Sequence, residues 1–507
     1  MSNGVPFNSN ALPQGYAPWW TEVAGHLGGI YPYQDTDSTG LCSLDIGRVI
    51  NAKRSRGETV ELDPVGLVTK TALPYLLGDR TLLKGVRRAP WMARPTEDGN
   101  WAPVDLPPHG HERPDPARFT QELKTALLNE AREYIGEALT VGILLSGGMD
   151  SRVVAGVVRA LQEEADSAFT VVGLTWGREA SRDVIYARRI VERFGWEWQH
   201  FPITADTLAE NIGHAARLGA EVSPLHLHAM PQIARFEGVD VILAGSYGDS
   251  VGRAEFSGRH VTELTPILPR KLDRFGILRS SALRSAIEAV RHDASPLPHA
   301  NSEQSSLRRY EVEQEKHYMR RMLQSCMQSI AFAKPIYQLF TSPDVFGRMW
   351  RLDPSVRNDD WYTRLLPTLP GDLLSIPWAR TGKRYDKPTG DPDDYGRQYH
   401  EYGTWLRGEL SESVLRRANS DRIRELGIFS DRGLDFALRA WRRANTESTN
   451  SLDELVSWLA SLHDFLEFYE IEAIGPLAAS SWLDEMKALR GGMHARIYIE
   501  ARERVRS

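Results

Sequence analysis

Apolar residues in the first half of this chain fall into short continuous runs, separated by stretches that repeat at helical spacing. Residues 140–145, TVGILL, and 239–244, VDVILA, are runs of this kind, each ending in Gly and Ser. Such runs are what parallel strands buried on both faces display. Residues 119–137 place Leu123, Ala126, Leu127, Ala131 and Ile135 on one side, which predicts an amphipathic helix packed against the sheet. Beyond about residue 260 the period turns helical, as in 278–290 and 307–330, and the remainder to Ser507 is expected to be mostly α. Residues 103–116, PVDLPPHGHERPDP, hold too many prolines for a helix or central strand and read as a linker. The pattern predicts an α/β class, with a parallel sheet, flanking helices and a helical carboxy-terminal part.

The chemistry concentrates at 144–152, LLSGGMDSR, read as strand, tight turn and a helix opening at Asp150 and Ser151. Two glycines let the backbone approach an anion, and the first N–H groups of a helix offer it donors and positive dipole. Ser146 and Ser151 add hydroxyls, while Asp150 supplies a hard oxygen ligand for Mg²⁺. No Gly-Lys-Ser/Thr follows, so this is not a Walker loop, and no G-x-G-x-x-G is present. The plainer alternative is an ordinary strand-to-helix turn. A second acidic turn, Gly245-Ser246-Tyr247-Gly248-Asp249, ends the other apolar run. Ligands of open α/β sheets bind outside the carboxyl ends of the strands, so Asp150 and Asp249 are expected at one edge, holding one or two Mg²⁺ ions. Asp249 as a surface turn residue is the alternative. Lys383, in the loop IPWARTGK (376–383) with Arg380 and Arg384 near, is a flexible ammonium suited to charge developing in a transition state. Lys387 lies close by, and a solvated basic loop would read the same way.

SGGMDS resembles the SGGxDS loop of the N-type ATP pyrophosphatases, the PP-loop group. Its surroundings, over roughly 115–410, are most similar to the synthetase domain of asparagine synthetases, β-lactam synthetases and lasso-peptide cyclases. Residues 169–176, FTVVGLTW, resemble the second strand of that fold, 183–202 the following helix and third strand, and 329–340, ending PIYQLF, a segment of its helical half. The resemblance implies a sheet of the adenine nucleotide alpha hydrolase-like type, with ATP and Mg²⁺ as cofactors. It assigns Leu145, Ser146, Gly147, Gly148, Met149, Asp150, Ser151, Gly245 and Ser246 to the nucleotide, Thr175 and Trp176 to the adenine, and Asp150 and Asp249 to metal. Lys383 and Tyr247 become the catalytic candidates. Ser246 stands where asparagine synthetase carries Glu, which lowers the case for plain asparagine synthesis; Tyr247 is one position from a tyrosine that β-lactam synthetases pair with a distant Glu. Residues 62–98 resemble the last portion of a glutaminase domain, whose nucleophile is a cysteine directly after the initiator Met. Here residue 2 is Ser, and the two cysteines are Cys42 and Cys326, so a degenerate, β-rich amino-terminal domain is expected. The organisation predicted is 1–102 for that domain, 103–116 for the linker, 117–410 for the ATP pyrophosphatase domain and 411–507 for a helical extension.

Composition refines this picture. Of 507 residues, 41% are hydrophobic and 25% charged, as in globular enzymes of two or three domains. No apolar run approaches the roughly 20 residues of a membrane helix, the start lacks a signal pattern, and two separated cysteines agree with a reducing cytoplasm. A net charge of −6 weighs against nucleic acid. His109 and His111 lack a carboxylate or thiol at ligand spacing, His226 and His228 read as packing or pocket residues, and the basic stretches 270–291 and 490–506 as solvated helix faces. The expectation is an AMP- and pyrophosphate-forming amide synthetase. It joins the carboxylate of a small molecule or peptide to an amine, with room for a peptide-delivering or carrier protein and for oligomerisation. An ammonia-dependent asparagine-type synthetase, a tRNA- or nucleobase-modifying PP-loop enzyme and a non-catalytic nucleotide-binding scaffold stay open.

Overall fold

A computed structural model describes residues 12–37, 40–164, 169–253, 266–295, 306–385, 387, 389–391, 395–444, 449–472 and 481–506; Ser2 lies outside them. At the centre is a five-stranded, wholly parallel sheet in the order β10-β9-β6-β7-β8. Its strands are β6 (Thr140–Leu144), β7 (Thr170–Trp176), β8 (Glu197–Phe201), β9 (Val241–Ala244) and β10 (Ile336–Gln338). Val141, Ile143 and Leu144 are buried, as a strand with helices on both faces requires. From β6 the chain moves through β7 to β8 on one side; β9 and β10 then add on the other. The strand order therefore reverses at β6, which makes the carboxyl ends of β6 and β9 the crevice where ligands bind in such sheets.

The helix expected over 119–137 runs from Pro116 to Ile135. It begins earlier because Asp115 caps it, accepting from the Arg118 N–H at 2.9 Å, and proline suits a first helical position. Gly136, at φ +52°, ends it. Proline-rich 103–115 is packed rather than free: His109 stacks on Trp350 at 4.2 Å and lies 2.9 Å from Glu311, a structural role and not a metal site. Two expectations are corrected in the second half. Residues 336–338, expected in the helical half, form the parallel edge strand β10, pairing Ile336 with Ile242. The helix read over 307–330 is interrupted by a π-helix, Gln314–Gln324.

The amino-terminal part carries a three-stranded antiparallel sheet of β1 (Tyr33–Asp35), β2 (Cys42–Ser43) and β3 (Val86–Arg88), and a hairpin of β4 (Ala93–Pro95) and β5 (Trp101–Pro103). It divides its apolar residues between two cores. Tyr16, Trp20 and Trp91 join the core around the parallel sheet, while Ile46, Val49 and Leu67 join one shared with the carboxy-terminal helices such as Ser451–Phe468. Among the described residues, no helix is long and apolar enough to cross a membrane.

Candidate nucleotide-binding and active site

The 145–148 turn leaves β6 at the crevice. Leu145 is buried and its N–H donates to the Leu174 carbonyl at 2.9 Å, so the backbone exits in register with β7. Inside the turn, the Gly148 N–H donates to Ser146 Oγ at 3.1 Å and the Ser151 hydroxyl donates to the Ser146 carbonyl at 2.9 Å. The helix that follows, Met149–Gln162, has Gly148 at its N-cap and no side-chain cap. Its first-turn N–H groups are the donors that an anion at this position would take. The Met149 side chain is buried in the core, so its backbone alone is at the turn.

Gly147 is a point of close approach. A Cβ there would lie 2.7 Å from Ala379 Cβ and 3.1 Å from the Arg182 carbonyl, so only glycine lets the turn touch the 376–380 loop. The Ala379 N–H donates to the Gly147 carbonyl at 3.1 Å. Behind it, the fully buried Arg152 guanidinium donates to the carbonyls of Gly147 at 3.0 Å, Leu373 at 3.0 Å, Ile376 at 2.6 Å and also Pro377. Burial pulls its pKa down to about 9, so it stays a cation at neutral pH. Half-buried Asp183 faces the same turn. Loss of solvent pushes its carboxyl up to about 6, against the Gly147 N–H and the Arg152 charge, which both favour ionisation.

The two acidic turns meet, as the sequence implied. Gly248 packs on Asp150 so closely that a Cβ would lie 2.5 Å from Asp150 Oδ1, and Gly245 is against the Asp150 carbonyl. Asp249 follows directly in the first turn of the helix Gly248–Arg253. The buried Tyr362 hydroxyl donates to Asp150 Oδ1, fixing that carboxylate at the edge. A divalent cation with a polyphosphate fits this donor set: two carboxylates from adjacent turns, an uncapped helix start and two serine hydroxyls. Among the described residues, the three acidic groups near enough to share an ion are Asp35, Asp37 and Glu58, and there Lys53 Nζ already lies 2.7–3.1 Å from all three.

At the end of β7, Thr175 is buried, and its hydroxyl has no hydrogen-bond partner among the described residues. Trp176 lies nearly parallel to His228, 6.2 Å between centroids, and His228 accepts or donates at Tyr402 Oη, 2.9 Å away. Burial drives His228 well below the usual histidine range, so the ring is neutral packing. Ser246 is tied to β10 through its N–H to Gln338 Oε1 at 3.2 Å. Lys383 is exposed, in a turn closed by the Trp378 N–H on the Lys383 carbonyl at 2.8 Å. That turn is bound to the 145–148 turn through Ala379 and Arg152.

Tyr247 requires a correction. Its ring is fully buried and its hydroxyl donates to the Leu27 carbonyl at 3.3 Å, in the amino-terminal part. Burial raises its pKa far above the usual phenol value, so it is a packing residue and not a group that takes a proton from an amine. Sequence reasoning missed Arg152, Asp183 and Tyr362. Arg152 had a signal, a charge inside the apolar stretch VVAGVV; Asp183 and Tyr362 had none, because both act across the fold.

No curated protein matches the chain. Two solved structures trace part of its path: the U34-tRNA thiolase NcsA from Methanococcus maripaludis with its [4Fe-4S] cluster, at 17% identity over 43% of this chain and 78% of that one, TM-score 0.21; and NMN synthetase from Francisella tularensis, at 14% over 47% and 94%, TM-score 0.19. Superpositions this loose leave the fold to be read from the sheet itself. Residues 123–335, the stretch holding both acidic turns and strands β6 to β9, match the family model for asparagine synthase.

Proposed function

We propose that the chain is an ATP-dependent, AMP- and pyrophosphate-forming amide synthetase. The observation that carries this is the meeting of Asp150 with the 245–249 turn beside an uncapped helix start, within the stretch that matches asparagine synthase. The 146–151 turn holds the β- and γ-phosphates and receives the departing pyrophosphate. Asp150 and Asp249 hold Mg²⁺, which when bound neutralises the triphosphate. Thr175 and Trp176 flank the adenine. The substrate carboxylate attacks the α-phosphorus, pyrophosphate leaves, and an amine then displaces AMP from the acyl carbon. Lys383 lies on the turn tied to Gly147 and supplies positive charge to the α-phosphate and to the tetrahedral carbon. Proximity in one closed site makes the second step effectively intramolecular and excludes water.

Within that class, Ser246 in place of the asparagine synthetase Glu favours tailoring of a small molecule or peptide over asparagine formation, in the manner of β-lactam synthetases or lasso-peptide cyclases. With Tyr247 buried, the proton leaving the amine goes to a group other than this phenol. The test is pyrophosphate release from ATP and Mg²⁺ across amino acids, ammonium, candidate peptides and tRNA, with Asp150→Ala as control. AMP and pyrophosphate formed together and lost in the variant support the reading. Stimulation by tRNA alone moves it to nucleic-acid modification, and silence with ATP still bound leaves a scaffold.

A further inference from the structure

A cavity of about 150 Å³ opens where three elements meet: the end of the helix Pro64–Ala72, the segment 272–277 and the start of the helix Ser451–Phe468. None of the residues lining it belongs to the 145–151 or 245–249 turns. Its walls are of two kinds. Leu73, Leu272, Phe275 and Trp458 offer apolar surface, while Lys70 and Glu454 bring opposite charges to the same space. Trp458 spends its indole N–H on the Ala220 carbonyl at 2.9 Å, so its ring meets the cavity as apolar surface. Exposed Arg274 and Ser451 form the rim, and both are held by Tyr498 of the carboxy-terminal helix: the Arg274 guanidinium covers the ring at 4.1 Å, and Ser451 Oγ is 3.1 Å from the hydroxyl.

Lys70 is the unusual member. It is 4% exposed, yet its ammonium, with three donors to place, has one hydrogen-bond partner among the described residues, the Pro74 carbonyl. Burial pulls its pKa down to about 8, against the attraction of Glu454, so it stays largely charged at neutral pH. A buried cation is costly unless it is paired, and the carboxylates around this one are committed to other groups. Glu221 binds Arg88 and Arg321; Asp273 binds Lys487 Nζ at 2.9 Å and the N–H groups of Ile277 and Leu278. Glu454 Oε1 lies 3.0 Å from His226 Nε2, and its Oε2 accepts from the Ser223 hydroxyl at 2.5 Å. A carboxylate has about four lone-pair sites, so Glu454, fixed by these two partners, can still accept from a ligand.

We propose that this cavity binds a small apolar α-amino acid as its zwitterion, with the carboxylate on Lys70, the ammonium toward Glu454 and the side chain against Trp458 and Phe275. A ligand with a carboxylate alone would set it against the Glu454 carboxylate, and one with an amine alone would set it against the Lys70 ammonium; the zwitterion satisfies both. Size agrees with this class, because an apolar cavity of roughly 150 Å³ takes up benzene, which is the bulk of a leucine or phenylalanine side chain.

Isothermal titration calorimetry of the full chain with L-phenylalanine and L-leucine, in the absence of ATP and Mg²⁺, reads the site. Both are expected to bind, and 3-phenylpropanoate and phenethylamine, each lacking one charged end of phenylalanine, are expected to bind about tenfold or more weakly. Lys70→Met keeps the length of the side chain and removes its charge, with circular dichroism and melting as the check on its fold. It should weaken L-phenylalanine about tenfold or more and leave phenethylamine, which has no carboxylate, no weaker than before. The analogue series uses the wild-type chain, so it decides the matter whether or not this variant folds. Absence of binding by either amino acid up to about 10 mM overturns the proposal, as does equal affinity for either analogue. So does undiminished L-phenylalanine binding by folded Lys70→Met, which places the amino acid elsewhere. With no nucleotide present, none of these outcomes depends on the amide-synthetase reading.

Discussion

Replacing Arg152 by methionine tests what holds the lysine-bearing turn against the 145–148 turn. The guanidinium is fully buried and donates to the carbonyls of Gly147, Leu373, Ile376 and Pro377, beside the Ala379-to-Gly147 hydrogen bond described above. A charged donor on a buried carbonyl contributes about 1.5–3 kcal/mol, so four amount to roughly 6–12 kcal/mol before the cost of burying the cation. The fall of its pKa from 12.5 to about 9 sets that cost at about 5 kcal/mol. The difference is a net tether of about 1–7 kcal/mol, and about 3 kcal/mol within that range is equivalent to roughly a hundredfold in a local opening equilibrium. Hydrogen exchange reads it directly. The amides of Trp378, Ala379 and Gly382, bonded to Lys383, Gly147 and Trp378, should exchange about a hundredfold faster in Arg152→Met, while those of the remote helix Ser451–Phe468 stay unchanged. Arg152→Lys should recover only part, because an ammonium cannot fork across four carbonyls. Pyrophosphate release should fall with the loss of protection. Unchanged exchange at Trp378, Ala379 and Gly382 in a folded Arg152→Met chain would refute the reasoning.

Gly147→Ala should lower pyrophosphate release by about 10²–10³, with unchanged circular dichroism, because its Cβ would sit 2.7 Å from Ala379 Cβ and push the lysine turn away. Adding Ala379→Gly removes the clash and should restore much of the rate. Asp183, raised from 3.8 to about 6, keeps its proton in the native chain between about pH 4 and 6 where the unfolded chain has lost it; its contribution to stability is full below about pH 4 and is lost as pH rises through 6. Asp183→Asn should flatten that part of the profile of denaturation midpoint against pH, and an unaltered slope would count against the assignment. Glu130 accepts from the Tyr337 hydroxyl at 2.6 Å and from the N–H groups of Phe340, Thr341 and Ser342 at 3.0, 3.0 and 2.7 Å, so Glu130→Ala should destabilise by about 3–5 kcal/mol in urea unfolding.

The sheet was legible where burial on both faces forces an uninterrupted apolar run, as in β6 and β9, and the helix over 116–135 where one face alone is apolar. Strand β10 was not, because three residues, Ile336–Gln338, are too few to establish a period and a proline precedes them. The strand, turn and helix over 140–162 were legible through the local demands of the glycine pair. Tyr247 misled for the opposite reason: its place beside an acidic turn suggested exposure, and its direction was decided by the amino-terminal segment that covers it. The stretch 490–506 read as basic and solvated by composition alone, whereas the residues just before it, together with Met493 and Ile497, complete an apolar stripe that a count of arginines hides.

Arg152 is the instructive case, because the sequence displayed it and gave no role for it. A guanidinium among Val153, Val154, Val157 and Val158 conflicts with the apolar pattern around it, and such conflicts persist where something across the fold repays them. Here the return comes from carbonyls more than two hundred residues away, at Leu373, Ile376 and Pro377. The arrangement makes one motif do two things: the 146–151 turn lies at the carboxyl end of β6, and the next residue, Arg152, reaches inward to bind the segment that leads to Lys383. The 145–148 turn and the lysine turn therefore rest on one buried cation, so displacement of either is felt by the other. A charge inside an apolar helix directly after a glycine-rich turn is thus a sign that a distant stretch of backbone packs there, and here its partners are free backbone carbonyls rather than an acidic side chain.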